Sequence, residues 1–117
     1  MKIFLSVPQI IVPKQVAIAM DLCTLAKFSA SGPVKKDLMK TAGSDIVLVC
    51  LDDGQEIPPH PEPYAVVFVV LQGKGVITAG SVEHPVGPHH LVSVKKDKNR
   101  GIRCDQKMVI LGIREDV

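Results

Sequence analysis

The sequence contains no tryptophan, a single tyrosine and three phenylalanines, so aromatic residues make up only 3% of its 117 residues. A core that cannot be built from rings must be built from Val, Ile, Leu and Ala, and that composition favours strands. The three cysteines, Cys23, Cys50 and Cys104, are too widely and irregularly spaced for a disulfide framework or a zinc knuckle. They read as free thiols in a reducing cytoplasm. Charge of one sign is also lacking: the net charge of +2 gives no electrostatic case for a nucleic-acid or membrane partner. The basic run from Lys95 to Arg100 carries no interleaved aromatic on which a base could stack, and reads as a solvated loop. No apolar run approaches the roughly 20 residues a membrane helix needs. Pro8, Gln9, Pro13 and Lys14 break up the start "MKIFLSVPQIIVPK", which is otherwise faintly like a signal peptide.

What is present is one domain's worth of short strands and turns. Residues 1–30 differ in texture and form an N-terminal arm, with Val16, Ala19, Met20, Cys23, Leu25 and Ala26 spaced loosely as one face of a short helix. From 33 to 115, apolar runs alternate with Gly, Asp, Asn and Pro clusters about every ten residues, the pattern of an all-β sandwich or barrel. Turns are predicted at "AGSD", "DDGQ", "QGKG" and "DQ". Along "YAVVFVVL", alternation places Tyr64, Val66, Phe68 and Val70 on one face and Ala65, Val67, Val69 and Leu71 on the other. Both faces are apolar, so the outer one needs a cover: the arm, a second copy of the chain in a homodimer, or both.

The stretch "LDDGQEIPPHPEPYAVVFVVLQGKGVITAG" resembles the small single-domain cupins. Their first motif, G-x5-H-x-H-x3-E-x6-G, is met in register by Gly54, His60 and Gly73. The resemblance implies an antiparallel jelly-roll barrel, the double-stranded β-helix, over residues 33–115. It also implies a metal held by three histidines and a glutamate. On that pattern His60 falls on the first ligand, Glu62 on the second histidine and Val66 on the glutamate. The second motif, G-x5-P-x-G-x2-H-x3-N, fits best when started at His89, which puts Arg100 on the last histidine. A placement ending at His90 leaves too few residues after Gly73 for the strands that separate the two motifs.

One ligand of four therefore survives, and an always-charged guanidinium stands in the shell where a cation would sit. The degraded set favours a metal-free, non-catalytic module without cofactor, which binds a small anionic or polar molecule or serves as an accessory subunit. Its pocket would be formed by His60, Glu62, Tyr64, Val66, Phe68 and Arg100. Arg100 is expected to pair with Glu62, to hold a ligand anion, or to turn outward. Three other readings stay open. A metal-dependent dioxygenase or isomerase would use His60, with Glu62 and His90 as a rescued ligand set. A metal-free epimerase would use His60 and Tyr64 as base and acid. A purely structural homodimer would have its barrel filled by Phe68 and Val66. His60 between prolines also reads as a turn histidine bonded to a backbone carbonyl, and His84, His89 and His90 as a solvent-exposed cluster around a turn.

Overall fold

A computed structural model of the chain describes residues 17–115, so Val16 and the first half of the arm lie outside the described residues. Among the described residues no helix is long and apolar enough to cross a membrane. The seven strands are β1 (Val34–Lys40), β2 (Ser44–Leu51), β3 (Glu56–Pro61), β4 (Val66–Ala79), β5 (Val82–Val86), β6 (Leu91–Val94) and β7 (Asn99–Glu115). Every strand pairing is antiparallel. The ladder runs β1-β2-β7-β4-β5, with β3 added to β7 and β6 to β4, and it does not close on itself.

Two predicted turns are absent. "QGKG" and "DQ" lie inside the continuous strands β4 and β7, which pair with each other there through Lys74 and Gln106. The register shifts between Val70 and Gly75. Gly73 adopts φ 88°, a conformation that favours glycine. A Cβ on Gly73 would collide with the Lys107 carbonyl, and one on Gly75 with the Arg103 carbonyl. These glycines bend one long strand where the pattern suggested two short ones, as bulges do. The real hairpin turn comes later, at Gly80, where φ is 65°.

Alternation on β7 sends Ile102, Cys104, Met108 and Ile110 inward to join Val47, Val49, Leu51, Val66, Phe68 and Val70 in the main core. The opposite face holds a second cluster of Leu48, Cys50 and Val109. The arm covers that cluster, but only partly as its spacing predicted. Its helix is only Leu22–Leu25, capped by Asp21, which accepts from the Cys23 amide at 3.1 Å. Of the predicted face Leu25 and Ala26 make the contact, joined by Leu22 and Phe28, whereas Met20 and Cys23 are exposed. Leu71 also packs into this cluster, whereas Ala65, Val67 and Val69 stay half-exposed.

Candidate functional site

His60 lies on an edge strand and not in a turn. The three prolines of "EIPPHP" leave β3 short of backbone donors, and among the described strands it pairs with β7 alone. A Cβ on Gly101 would come within 2.9 Å of Pro59 Cα, so the glycine on β7 lets this stiff edge approach closely. The ladder sets His60 opposite Arg100. Further along β7, Arg114 stands opposite Val66. Since β7 alternates, Arg100 and Arg114 face inward with the core residues between them.

Together these side chains border a cavity of about 50 Å³ inside the barrel. Val47, Val49, Ile57, Val66, Phe68 and Ile102 line it as an apolar floor. Lys35, His60, Tyr64, Arg100 and Arg114 supply its polar lining, and no Asp or Glu is among the lining residues. Gly112 also faces it, where a Cβ would sit 3.0 Å from Val47 Cγ2 and 3.8 Å from the Phe68 ring. The volume has room for a few water molecules, far below the several hundred Å³ of a typical ligand pocket.

Arg100 is 4% exposed. It does not turn outward and makes no ion pair with Glu62. Its Nε donates to the Lys98 carbonyl at 3.3 Å, and Nη2 donates to the carbonyls of Lys95 and Lys98 at 3.2 and 3.1 Å. Its guanidinium carbon lies 5.2 Å from the centroid of Tyr64, and that of Arg114 lies 5.8 Å from the same ring. Both distances fall within cation–π range. Arg114 leans outward on Asp45 at 3.6 Å and Asp37 at 3.9 Å. Arg100 Nη1 and Arg114 Nε are buried with no hydrogen-bond partner among the described residues. An unpaired buried donor of a charged group is costly.

Glu62 is the one expected pocket residue that is not among the lining residues; it holds His60 instead. His60 Nε2 lies 3.1 Å from Glu62 Oε2, and Nδ1 lies 2.9 Å from the Pro58 carbonyl oxygen. The backbone-carbonyl bond anticipated for a turn histidine therefore exists, but on a strand. Both partners are acceptors, so neither ring nitrogen turns a free lone pair toward the cavity. A metal ligand or a general base needs one. Val66 carries no donor atom, and two guanidiniums border the space a cation would fill. The residues present do not fit the metal of the resemblance. His90 is exposed, with Nδ1 turned to the amide and carbonyl of Gly87 at 2.8 and 2.9 Å. Among the described residues no three His, Cys, Asp or Glu side chains converge in a way that could hold a metal ion.

Sequence reasoning missed Lys35 and Arg114. Arg114 was legible in principle, since strand parity carries Arg100 to it through Ile102 and Ile110. The expected break at "DQ" hid that continuity.

No family model matches the chain, and no curated protein matches it either. Solved structures do. A cupin described as RmlC-like from Desulfovibrio desulfuricans superposes with a TM-score of 0.78 at 20% identity, covering 85% of this chain and 96% of its own. A cupin superfamily protein from Desulfitobacterium hafniense gives 0.75 at 19% identity, with 91% and 95% covered. An uncharacterized conserved protein with a double-stranded β-helix domain from Klebsiella pneumoniae gives 0.77 at 16%, with 85% and 90% covered. With the antiparallel strand order and the bent shared strands, these likenesses identify the chain as a small domain of the cupin fold.

Proposed function

We propose that this chain is a metal-free, non-catalytic cupin-fold module that binds a small molecule in its barrel, alone or as an accessory subunit of a larger assembly. The observation that carries the reading is Arg100, a buried cation with one donor unpartnered, bordering the cavity at the place of a metal-ligating histidine. Fold alone decides nothing here, because this barrel supports many chemistries. His60, Tyr64, Val66 and Phe68 complete the pocket, and Glu62 fixes the ring of His60.

In this reading the chain is one domain, arm included, and associates as a homodimer. Across the outer face, Leu91 pairs with Val69 and Val69 with Leu111, while Val67 pairs with Ile113. Leu91 is 62% exposed, and the row continues the apolar surface that the arm leaves uncovered. Leu71 drops out of the expected interface, since the chain's own arm packs on it. A cytoplasmic location suits the three free thiols.

The test is a thermal-shift and NMR screen of wild-type protein against a library of small acids, phosphates, amines, alcohols and sugars, with metal analysis in parallel. Stabilisation accompanied by shifts at Val66 and Phe68 supports the reading. Near-stoichiometric iron, zinc, manganese or nickel, lost on His60→Ala, would replace it with the metalloenzyme.

A further inference from the structure

The cavity has two chemically distinct ends. Val47, Val49, Val66, Phe68 and Ile102 are at most 8% exposed and form its floor. The other end is cationic: Arg114 is 30% exposed at the side chain, Lys35 is exposed, and buried Arg100 stands behind them. A neutral sugar would leave these charges unanswered. A cation would be repelled by them, and a multiply charged phosphate would have to press its remaining oxygens against the apolar floor. Desolvating oxygens without partners is unfavourable.

From this we infer that the site takes a short monocarboxylic acid, held with its carboxylate between Arg100 and Arg114 and its aliphatic tail on the floor. The inference rests on the binding-module reading and names the ligand class of that site. The donors left over match what a carboxylate offers. Arg100 Nη1 and Arg114 Nε are both buried and unpartnered, one on each of the two guanidiniums that contact Tyr64. A carboxylate has two oxygens to receive them, and such charge-assisted bonds are the strong ones. Tyr64 keeps the two cations at the same ring while they await an anion. The backbone carbonyls that hold Arg100 from the 95–98 loop fix its position without neutralising it. The nearby carboxylates are engaged at the periphery: Glu62 on His60, Asp45 on Lys40 and Arg114, and Asp37 at a long 3.9 Å from Arg114. At about 50 Å³ the space suits a tail of a few carbons only. Gly112 sets that limit, since a side chain there would enter the space between Val47 and Phe68.

The experiment is a titration of the full chain with formate, acetate, propionate, butyrate, hexanoate and benzoate. Butanol, butyramide, butylammonium and inorganic phosphate serve as controls, and heteronuclear NMR follows Val66 and Phe68. Affinity should rise roughly threefold to fourfold per added methylene until the floor is filled, then fall. Arg114→Gln, at a partly exposed position, should weaken every acid roughly tenfold to a hundredfold, with the dispersed spectrum confirming the fold. Gly112→Ala should shorten the longest tail accepted and spare formate, a readout independent of both arginines. Acid binding indifferent to Arg114→Gln and to Gly112→Ala overturns the inference. So does phosphate binding more tightly than any acid, or the neutral alcohol or amide binding as tightly as butyrate; in each case the binding module stands with another ligand. No perturbation of Val66 or Phe68 by any compound overturns both.

Discussion

Arg114 stands directly across the β4–β7 ladder from Val66, the position at which the first motif would carry a metal-binding glutamate. A carboxylate there would pair with the guanidinium and leave it no charge to spare. Valine cannot pair with it, so its nearest carboxylates are Asp45 at 3.6 Å and Asp37 at 3.9 Å on the outer side, and its Nε stays without a partner among the described residues. On the motif's pattern, a carboxylate is absent from one strand and a cation stands on its neighbour, an arrangement that inverts the charge expected of the site.

Metal content follows from that inversion. Protein purified without a histidine tag is expected to carry only substoichiometric transition metal, and added zinc or nickel should not shift its melting temperature through His60. Elemental analysis of wild type and His60→Ala checks this, with no difference expected between the two.

Association is open to a direct measurement. Light scattering at high micromolar concentration should give the dimer mass, and Val67→Asp with Leu91→Asp should give a monomer that remains folded. Both positions lie on the outer face, so the main core is not disturbed. A monomer mass for wild type would refute the dimer.

Thiol reactivity separates the three cysteines. Burial raises the pKa of Cys50 and of Cys104, which lowers the thiolate fraction of each. Cys104 Sγ also donates to the Leu51 carbonyl at 3.4 Å. A thiol reagent at pH 8 should therefore modify Cys23 rapidly in the native protein and reach the other two only in denaturant, as mass spectrometry would show.

Acid should loosen the β1–β2 hairpin. The hydrogen bond from Lys40 at 2.7 Å, then the charges of Lys40 and Arg114, hold the Asp45 carboxyl below its ordinary value of 3.8. A depressed carboxyl adds stability that is complete above its unfolded pKa and is lost as pH falls through the folded one. Melting temperature followed downward from pH 5 should fall less steeply in Asp45→Asn than in wild type.

Truncating Phe68 to alanine should destabilise the fold by about 3–5 kcal/mol, read as a lower denaturation midpoint, because the ring is 8% exposed in the main core.

The sequence carried much of this, for identifiable reasons. Val66, Phe68 and Val70 declared their inward face by simple alternation, and Arg100 was placed beside His60 by counting along a motif most of whose letters had been replaced. What stayed hidden depended on the chain meeting itself. That "QGKG" would bend within a strand is decided by the Lys107 and Arg103 carbonyls, which no local pattern contains. That Glu62 would hold His60 while Arg100 took loop carbonyls depends on where the 95–98 loop lands. Asp97 there donates its amide to the Glu62 carbonyl at 2.9 Å. The helical face of the arm was misread in part: Leu25 and Ala26 pack as its periodicity offered, but tertiary contact took Leu22 and Phe28 in place of Met20 and Cys23.

Among the described strands, β7 comes last and shares with β4 the largest number of partner strands. β7 pairs with β2, β3 and β4, so none of these can complete its ladder until residues 99–115 have left the ribosome. During synthesis "IVLVCL" and "AVVFVVL" must wait with open edges, and unpaired apolar edges invite pairing with other chains. The order of synthesis therefore runs against the order of assembly. A premature stop before Met108 would release a chain in which Ser44–Leu51 keeps β1 on one edge and has its other edge open, and such a product should aggregate and not persist as a smaller domain.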